Sequence, residues 1–179
     1  FVGREAGNAN TIGSDNTFVG QYSGTNTIGG DYNTFLGSMS GNDNTSGDSN
    51  TFIGYSAGYN HLSGDRNVYV GEKSGYNSNN ATLNVFVGYN SGYSTTSGQQ
   101  NVFVGGGNTS NGSGYSNTTG IGNTYLGYQA GKTSISSNDN TILGRNAGYL
   151  TTSSQNTFIG SSAGYNNAGG SKNVFVGKD

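Results

Sequence analysis

The segment Asn50-Thr51-Phe52-Ile53-Gly54-Tyr55-Ser56-Ala57-Gly58-Tyr59 recurs, with small changes, from one end of the chain to the other. In steps of 17 residues from Gly54 the same position is Gly3, Gly20, Gly37, Gly71, Gly88 and Gly105. The series continues through Gly127, Gly144, Gly160 and Gly177, with one step of 22 after Gly105 and one of 16 after Gly144. All eight phenylalanines, Phe1, Phe18, Phe35, Phe52, Phe86, Phe103, Phe158 and Phe175, stand two residues before one of these glycines. A fixed period of this length marks a solenoid, in which each repeat buries its apolar side chains only against its neighbours. With Asn as position 1, the unit is Asn, Thr/Val, Phe, Ile/Val/Leu, Gly, x, x, Ala/Ser, Gly, Tyr, x, x, Thr, x, Gly, x, x.

The composition explains why the period matters. Only 30% of the residues are hydrophobic and 9% charged, and 34 of 179 are glycine, a mixture that stays disordered unless its few apolar groups are brought together. Glycine at positions 5, 9 and usually 15 costs a helix about 1 kcal/mol at each occurrence, which excludes helices. Runs such as Asn84-Val85-Phe86-Val87-Gly88 and Asn101-Val102-Phe103-Val104-Gly105 are β-branched and aromatic and end in glycine, the pattern of a strand followed by a turn. A second, weaker strand is expected around position 13, at Ile28, Thr45, Leu62, Thr96, Thr118, Ile135 and Thr152. The absence of proline leaves every strand its ladder donors.

The expected fold is therefore all-β: a parallel β-solenoid (β-roll or β-helix) of about eleven 17-residue coils. At about 4.8 Å per coil it makes a rod about 50 Å long. Residues 1–179 form one repeat domain, read as a window of a longer chain because the repeats run to both ends. The additional residues of the 22-residue step must leave the stack if neighbouring coils are to stay in register, which predicts a surface loop near 106–112.

Each repeated identity then has a structural task. Position 3 forms an inward ladder of stacked side chains: Phe18, Phe35, Phe52, Tyr69, Phe86, Phe103, Tyr125, Phe158 and Phe175, with Ile142 as its one aliphatic member. Position 1 forms an amide ladder of Asn16, Asn33, Asn50, Asn67, Asn84, Asn101, Asn123, Asn140, Asn156 and Asn173, able to satisfy backbone amides from coil to coil. Position 8 is always Ala or Ser, so the space there is small. Strand alternation puts position 4 on the side opposite Phe. Yet position 4 is aliphatic in every repeat: Val19, Leu36, Ile53, Val70, Val87, Val104, Leu126, Leu143, Ile159 and Val176. Two arrangements account for this. Either the row is an outward stripe that serves as an interface between chains round a shared axis, or a kink after Phe turns it inward to widen a single-chain core.

Functional chemistry is sparse. A net charge of −2 with seven dispersed basic residues gives no electrostatic footprint for nucleic acid, and no apolar run approaches the length that crosses a bilayer. No cysteine is present, so there is neither disulfide nor thiolate site. No clustering of carboxylates or basic groups suggests catalysis, so the chain is read as a non-enzyme without cofactor or metal. The only histidine, His61, lacks a partner set and is expected at the surface or at a coil corner. Asp15, Asp48, Asp65 and Asp139 read as solvated turn residues, with a calcium cage as the alternative. Tyr59, Tyr76, Tyr93, Tyr115, Tyr149 and Tyr165 recur at position 10, where they either pack the corner or offer an aromatic ladder to a surface glycan. Asn-x-Ser/Thr tripeptides at Asn44, Asn80, Asn108, Asn111 and Asn117 match what this composition produces by chance.

The runs 50–59 and Asn123-Thr124-Tyr125-Leu126-Gly127-Tyr128-Gln129-Ala130-Gly131 resemble the Asn-Thr-x-Val/Ile-Gly-Tyr-x-Ala repeats of bacteriophage tail-fibre proteins. More loosely, they resemble the Asn-x-x-x-Ile-Gly repeats in the heads of trimeric autotransporter adhesins. The resemblance covers nearly the whole chain and implies a homo-oligomeric, preferentially trimeric β-roll in a fibre on a cell or virion surface. The function expected from residues and resemblance together is a structural or adhesive extracellular fibre component. The alternatives are an ice-binding solenoid, which requires a flat regular array of threonines, and a polysaccharide-binding or processing β-helix, which requires a cleft with clustered charges.

Overall fold

The computed structural model describes residues 1–178. Among them are ten three-residue strands: β1 (Thr17–Val19), β2 (Thr34–Leu36), β3 (Thr51–Ile53), β4 (Val68–Val70), β5 (Val85–Val87), β6 (Val102–Val104), β7 (Thr124–Leu126), β8 (Thr141–Leu143), β9 (Thr157–Ile159) and β10 (Val174–Val176). They pair in parallel and in chain order into a single sheet, with like positions opposite one another: Phe52 pairs with Phe35 on one side and Tyr69 on the other. The chain is a parallel β-solenoid of about nine turns, slightly fewer than the eleven repeat units. The first unit contributes only an isolated bridge, from Val2 to Val19.

The expected second strand at position 13 does not form. Amides there do reach the next coil, as Thr45 N donates to Leu62 O at 2.9 Å, but the bonding does not advance along the chain. Instead, the amides of Thr96, Ser97 and Gly98 all converge on the single carbonyl of Thr118, at 2.9, 3.0 and 3.2 Å. Successive amides aimed at one acceptor describe a tight arch, whereas a ladder gives each donor its own carbonyl. Each turn thus has one strand, and arches complete it.

The inner face of the sheet holds the core. Phe18, Phe35, Phe52, Tyr69, Phe86, Phe103, Tyr125, Ile142 and Phe158 are fully buried. Consecutive rings from Phe18 to Tyr125 stack with centroids 4.7–4.9 Å apart and planes within 9°. Phe175, in the last strand, stacks on Phe158 but is 41% exposed. Two glycines make room for this ladder. At Gly58, with φ of +60°, a Cβ would lie 2.5 Å from the Phe52 ring; at Gly54, with φ of +135°, it would lie 2.7 Å from the Gly71 carbonyl in the next coil. Across the interior, the small residue at position 8 is either apolar, as Ala57, or a serine that bonds the next coil, as Ser91 Oγ donates to Phe103 O at 2.9 Å.

The asparagines at position 1 tie coil to coil. Each accepts on its Oδ1 the backbone amide of the next asparagine in the series, as Asn67 N donates to Asn50 Oδ1 and Asn84 N to Asn67 Oδ1, at 2.9 and 3.0 Å. The Asn50 Nδ2 donates across its own coil to Gly64 O at 2.8 Å, and the Asn84 Nδ2 to Gly98 O at the same distance. One side chain therefore closes its own turn and holds the next one in register. Burial makes both bonds count, because an unpaired amide inside would cost about 1–3 kcal/mol.

Candidate functional site

Three longitudinal rows bear on function: the outer face of the sheet, the tyrosine row and the buried row at position 12. On the sheet, position 3 is inside while positions 2 and 4 face out. Leu36 and Leu126 are 46% exposed and Ile159 is 42% exposed; Val19, Ile53, Val70, Val87, Val104 and Leu143 are half-buried between their neighbours. Val176, in the last strand, is more exposed still. The sheet thus carries its aliphatic row on the side away from the phenylalanines, and position 4 adds nothing to the inner core.

The tyrosines at position 10 form two stacks. Tyr59, Tyr76, Tyr93 and Tyr115 follow one another at 5.1 Å, and Tyr149 stacks on Tyr165 at 4.9 Å. Lys132 stands between the two groups, its ammonium 5.0 Å from the Tyr149 ring centre and donating to the Tyr149 hydroxyl at 2.8 Å. Rings stacked this closely cover each other's faces. A sugar that stacks needs an open face, so along these runs the ladder offers ring edges and hydroxyls. Beside it, Asn60, Leu62, Asn77, Asn79, Ser94, Thr96 and Thr118 line a shallow uncharged furrow of about 480 Å³.

His61 corrects the expectation of a surface or corner position, because it is fully buried. It occupies position 12, where every other coil has a small polar residue. Thr27, Asn44, Ser78, Thr95, Asn117, Ser134 and Thr151 are all fully buried there. The imidazole lies edge-on to Phe52, with centroids 5.0 Å apart, and Nε2 is 2.7 Å from Gly64 O. Nδ1 is 2.7 Å from Ser78 O and 3.0 Å from Ser78 Oγ. With its proton on Nε2 the neutral ring donates to Gly64 O and takes the Ser78 hydroxyl at Nδ1, and with its proton on Nδ1 it donates to Ser78 O. Desolvation by burial lowers its pKa, against the opposing pull of the two carbonyls and of Asp65. The same desolvation raises the pKa of the buried Tyr69 and Tyr125 phenols. The row also carries a cost: the hydroxyls of Thr27, Thr95 and Thr151 have no hydrogen-bond partner within the chain.

Asp48 and Asp65 are engaged in stacking. The Asp48 carboxylate accepts Asp31 N at 2.8 Å and that of Asp65 accepts Asp48 N at 2.9 Å, while Asp15 and Asp139 take left-handed turn conformations, both with φ of 56°. Among the described residues no three His, Cys, Asp or Glu side chains gather as a metal-binding group. The residues of the long step lie between β6 and β7, which pair directly, Phe103 against Tyr125. Asn108, Thr109 and Ser110 are exposed, while Gly112 is buried near the Asn90 backbone. Of the Asn-x-Ser/Thr tripeptides, Asn44 and Asn117 are fully buried, whereas Asn80 and Asn108 are exposed.

No known family, curated protein or solved structure matches the chain. The likeness to tail-fibre and adhesin-head repeats therefore rests on the motif alone.

Proposed function

We propose that the chain is a structural segment of an extracellular fibre on a cell or virion surface, non-catalytic and adhesive through the assembled fibre. The observation that carries this reading is the unbroken amide ladder. In all nine steps from Asn16 to Asn173, each asparagine amide nitrogen is bonded to the side chain of the asparagine before it. The ladder persists through the 22-residue and 16-residue steps, where Asn123 N reaches Asn101 Oδ1 at 3.0 Å and Asn156 N reaches Asn140 Oδ1 at 2.8 Å. The repeat's polar side chains thus serve continuity along the axis, which is what a rigid spacer requires. Its residues also resemble repeats that build such fibres. Immunogold labelling of intact source cells or particles, with antibody raised against the purified chain, tests the reading. Surface label in linear arrays is expected, and antigen reached only after lysis would overturn it.

A further inference from the structure

We propose that the four stacked tyrosines of position 10 are an oxidative cross-linking site, at which a one-electron oxidant joins neighbouring coils of the same chain by carbon–carbon bonds between their phenol rings. Tyr59, Tyr76, Tyr93 and Tyr115 stand in four consecutive coils, with ring centroids 5.1 Å apart and planes within 11° of parallel. All four are half-buried. Because stacked rings cover one another's faces, the exposed part of each is its edge, where an oxidant reaches it. No cysteine is present, so disulfides cannot tie one coil to the next, and phenols are the other side chains here that couple on oxidation.

In the step itself, each of two neighbouring phenols gives an electron to the oxidant and its hydroxyl proton to water. The two tyrosyl radicals then pair their electrons in a bond between ring carbons ortho to the oxygens. The hydrogens on those carbons move to the oxygens and restore both phenols. Radicals on separate chains must meet by diffusion, whereas two held side by side react as one molecule, which favours coupling within the stack. Parallel rings set the ortho carbons of one beside those of the next, and the rings tilt together at their solvent edges to bond. Each link closes a loop of one coil and so restricts the unfolded chain as a disulfide does.

The other tyrosines lack one or another of these conditions. Tyr32, Tyr55 and Tyr128 are more exposed, at 65%, 48% and 39%, but belong to no ring stack among the described residues, so their radicals have no partner in the chain. In the core, Tyr69 lies between Phe52 and Phe86, and Tyr125 between Phe103 and Ile142, so no two phenols adjoin there and burial keeps the oxidant out. Tyr149 and Tyr165 do stack, but the Lys132 ammonium lies over the Tyr149 ring and donates to its hydroxyl. A cation over the ring makes an electron harder to remove, which leaves this pair the slower site.

Illumination of the purified chain with ruthenium tris-bipyridyl and persulfate, a one-electron photo-oxidant, tests the proposal. The expected product runs as a single chain on a denaturing gel, has lost two hydrogens per link, shows dityrosine fluorescence and keeps its yield per chain on dilution. Proteolysis and mass spectrometry should place the links between Tyr59 and Tyr76, Tyr76 and Tyr93, or Tyr93 and Tyr115, with a lower yield between Tyr149 and Tyr165. The linked chain should unfold at a higher urea concentration, and a chain oxidised while unfolded in urea should lose the preference for these pairs. Tyr76→Phe combined with Tyr115→Phe keeps the stacked rings but leaves no two phenols adjacent, and is expected to abolish these links while the circular dichroism of the coils stays unchanged. Links that form only between chains and vanish on dilution, or that map to Tyr32, Tyr55 or Tyr128, would overturn the proposal. So would hydroxylation of the four tyrosines without any link, a result that needs no variant to fold.

Discussion

Phe86→Ala removes one rung from the middle of the aromatic ladder. Its ring is fully buried between Tyr69 and Phe103, 4.9 Å from each and within 6° of parallel to both. The backbone on either side cannot close the gap, since β5 is held in register by β4 and β6 over all three of its residues. Replacing a buried Phe by Ala costs about 3–5 kcal/mol, and the upper part of that range applies where the site cannot collapse. The loss of two stacking contacts, each worth about 0.5–1.5 kcal/mol, points the same way. We therefore expect a loss of about 4–5 kcal/mol, with the damage confined to two coil interfaces, because a solenoid's stability is a sum over neighbours. Urea unfolding followed by circular dichroism should show a lowered midpoint and a transition that broadens or splits as the two halves uncouple. Phe86→Leu keeps most of the volume but loses the stacking, and should cost about 1–2 kcal/mol; the Ile142 rung shows that the ladder accommodates an aliphatic side chain. A loss below about 1 kcal/mol for the alanine variant, or equal losses for the two, would refute confinement as the source of the rung's stability.

Four further outcomes are expected. Ile142→Phe restores a ring between Tyr125 and Phe158 and should raise the urea midpoint by the equivalent of about 1–2 kcal/mol; a lowered midpoint would mean that the 16-residue coil has no space for it. Thr95→Val removes a buried hydroxyl that has no partner and should stabilise by about 1–2 kcal/mol, measured in the same way. Because burial holds His61 below its usual value of about 6.5, only the unfolded chain takes up the proton between the folded and unfolded values. Stability is thus fully present above about pH 6.5 and declines as the pH falls below it; melting curves of His61→Asn, the residue of Asn44 in the neighbouring coil, should lack this decline. Leu83→Gly relieves a leucine held at φ of 62° and should stabilise by about 0.5–1 kcal/mol in thermal melts, because the strain removed slightly exceeds the entropy that glycine adds to the unfolded chain.

What the sequence revealed and what it hid follow from how each position is constrained. Phe52 was legible as core because a large apolar side chain with a period of 17 has one low-energy place, whereas the aliphatic Ile53 beside it fitted either an outward stripe or a kinked inner wall, and the three-residue strand geometry decides for the outward side. Position 12 was not. Its occupants, Thr27, Asn44, His61 and Ser78 among them, are polar and unlike one another, so no hydrophobic periodicity marks them as buried. The eye falls instead on β-branched Ile28 and Thr45 one residue later, and assigns a strand where the backbone arches. The signal that existed was steric: apart from His61 and the asparagines, that row holds only Thr and Ser, which limits volume without announcing burial.

The glycines show why some strained positions are visible in a sequence and others are not. In the coil of Phe52, positive φ occurs at Gly54, Ser56, Gly58 and Arg66, yet only two of these are glycines. At Gly54 and Gly58 an added Cβ would run into the neighbouring coil's carbonyl or the Phe52 ring, so strain and lack of space act together and one residue type survives. At the position of Arg66 the side chain leaves the rod, and Tyr32, Leu83, Gln100 and Lys172 occupy it in other coils, each at φ of 57–60° or slightly above. There each residue bears only the left-handed penalty of about 1–2 kcal/mol, which the stacked coils on either side offset. Identity is fixed where two constraints coincide and drifts where one stands alone. Positions 5 and 9 therefore spell out the period, while the equally distorted turn at position 17 leaves no trace in the sequence.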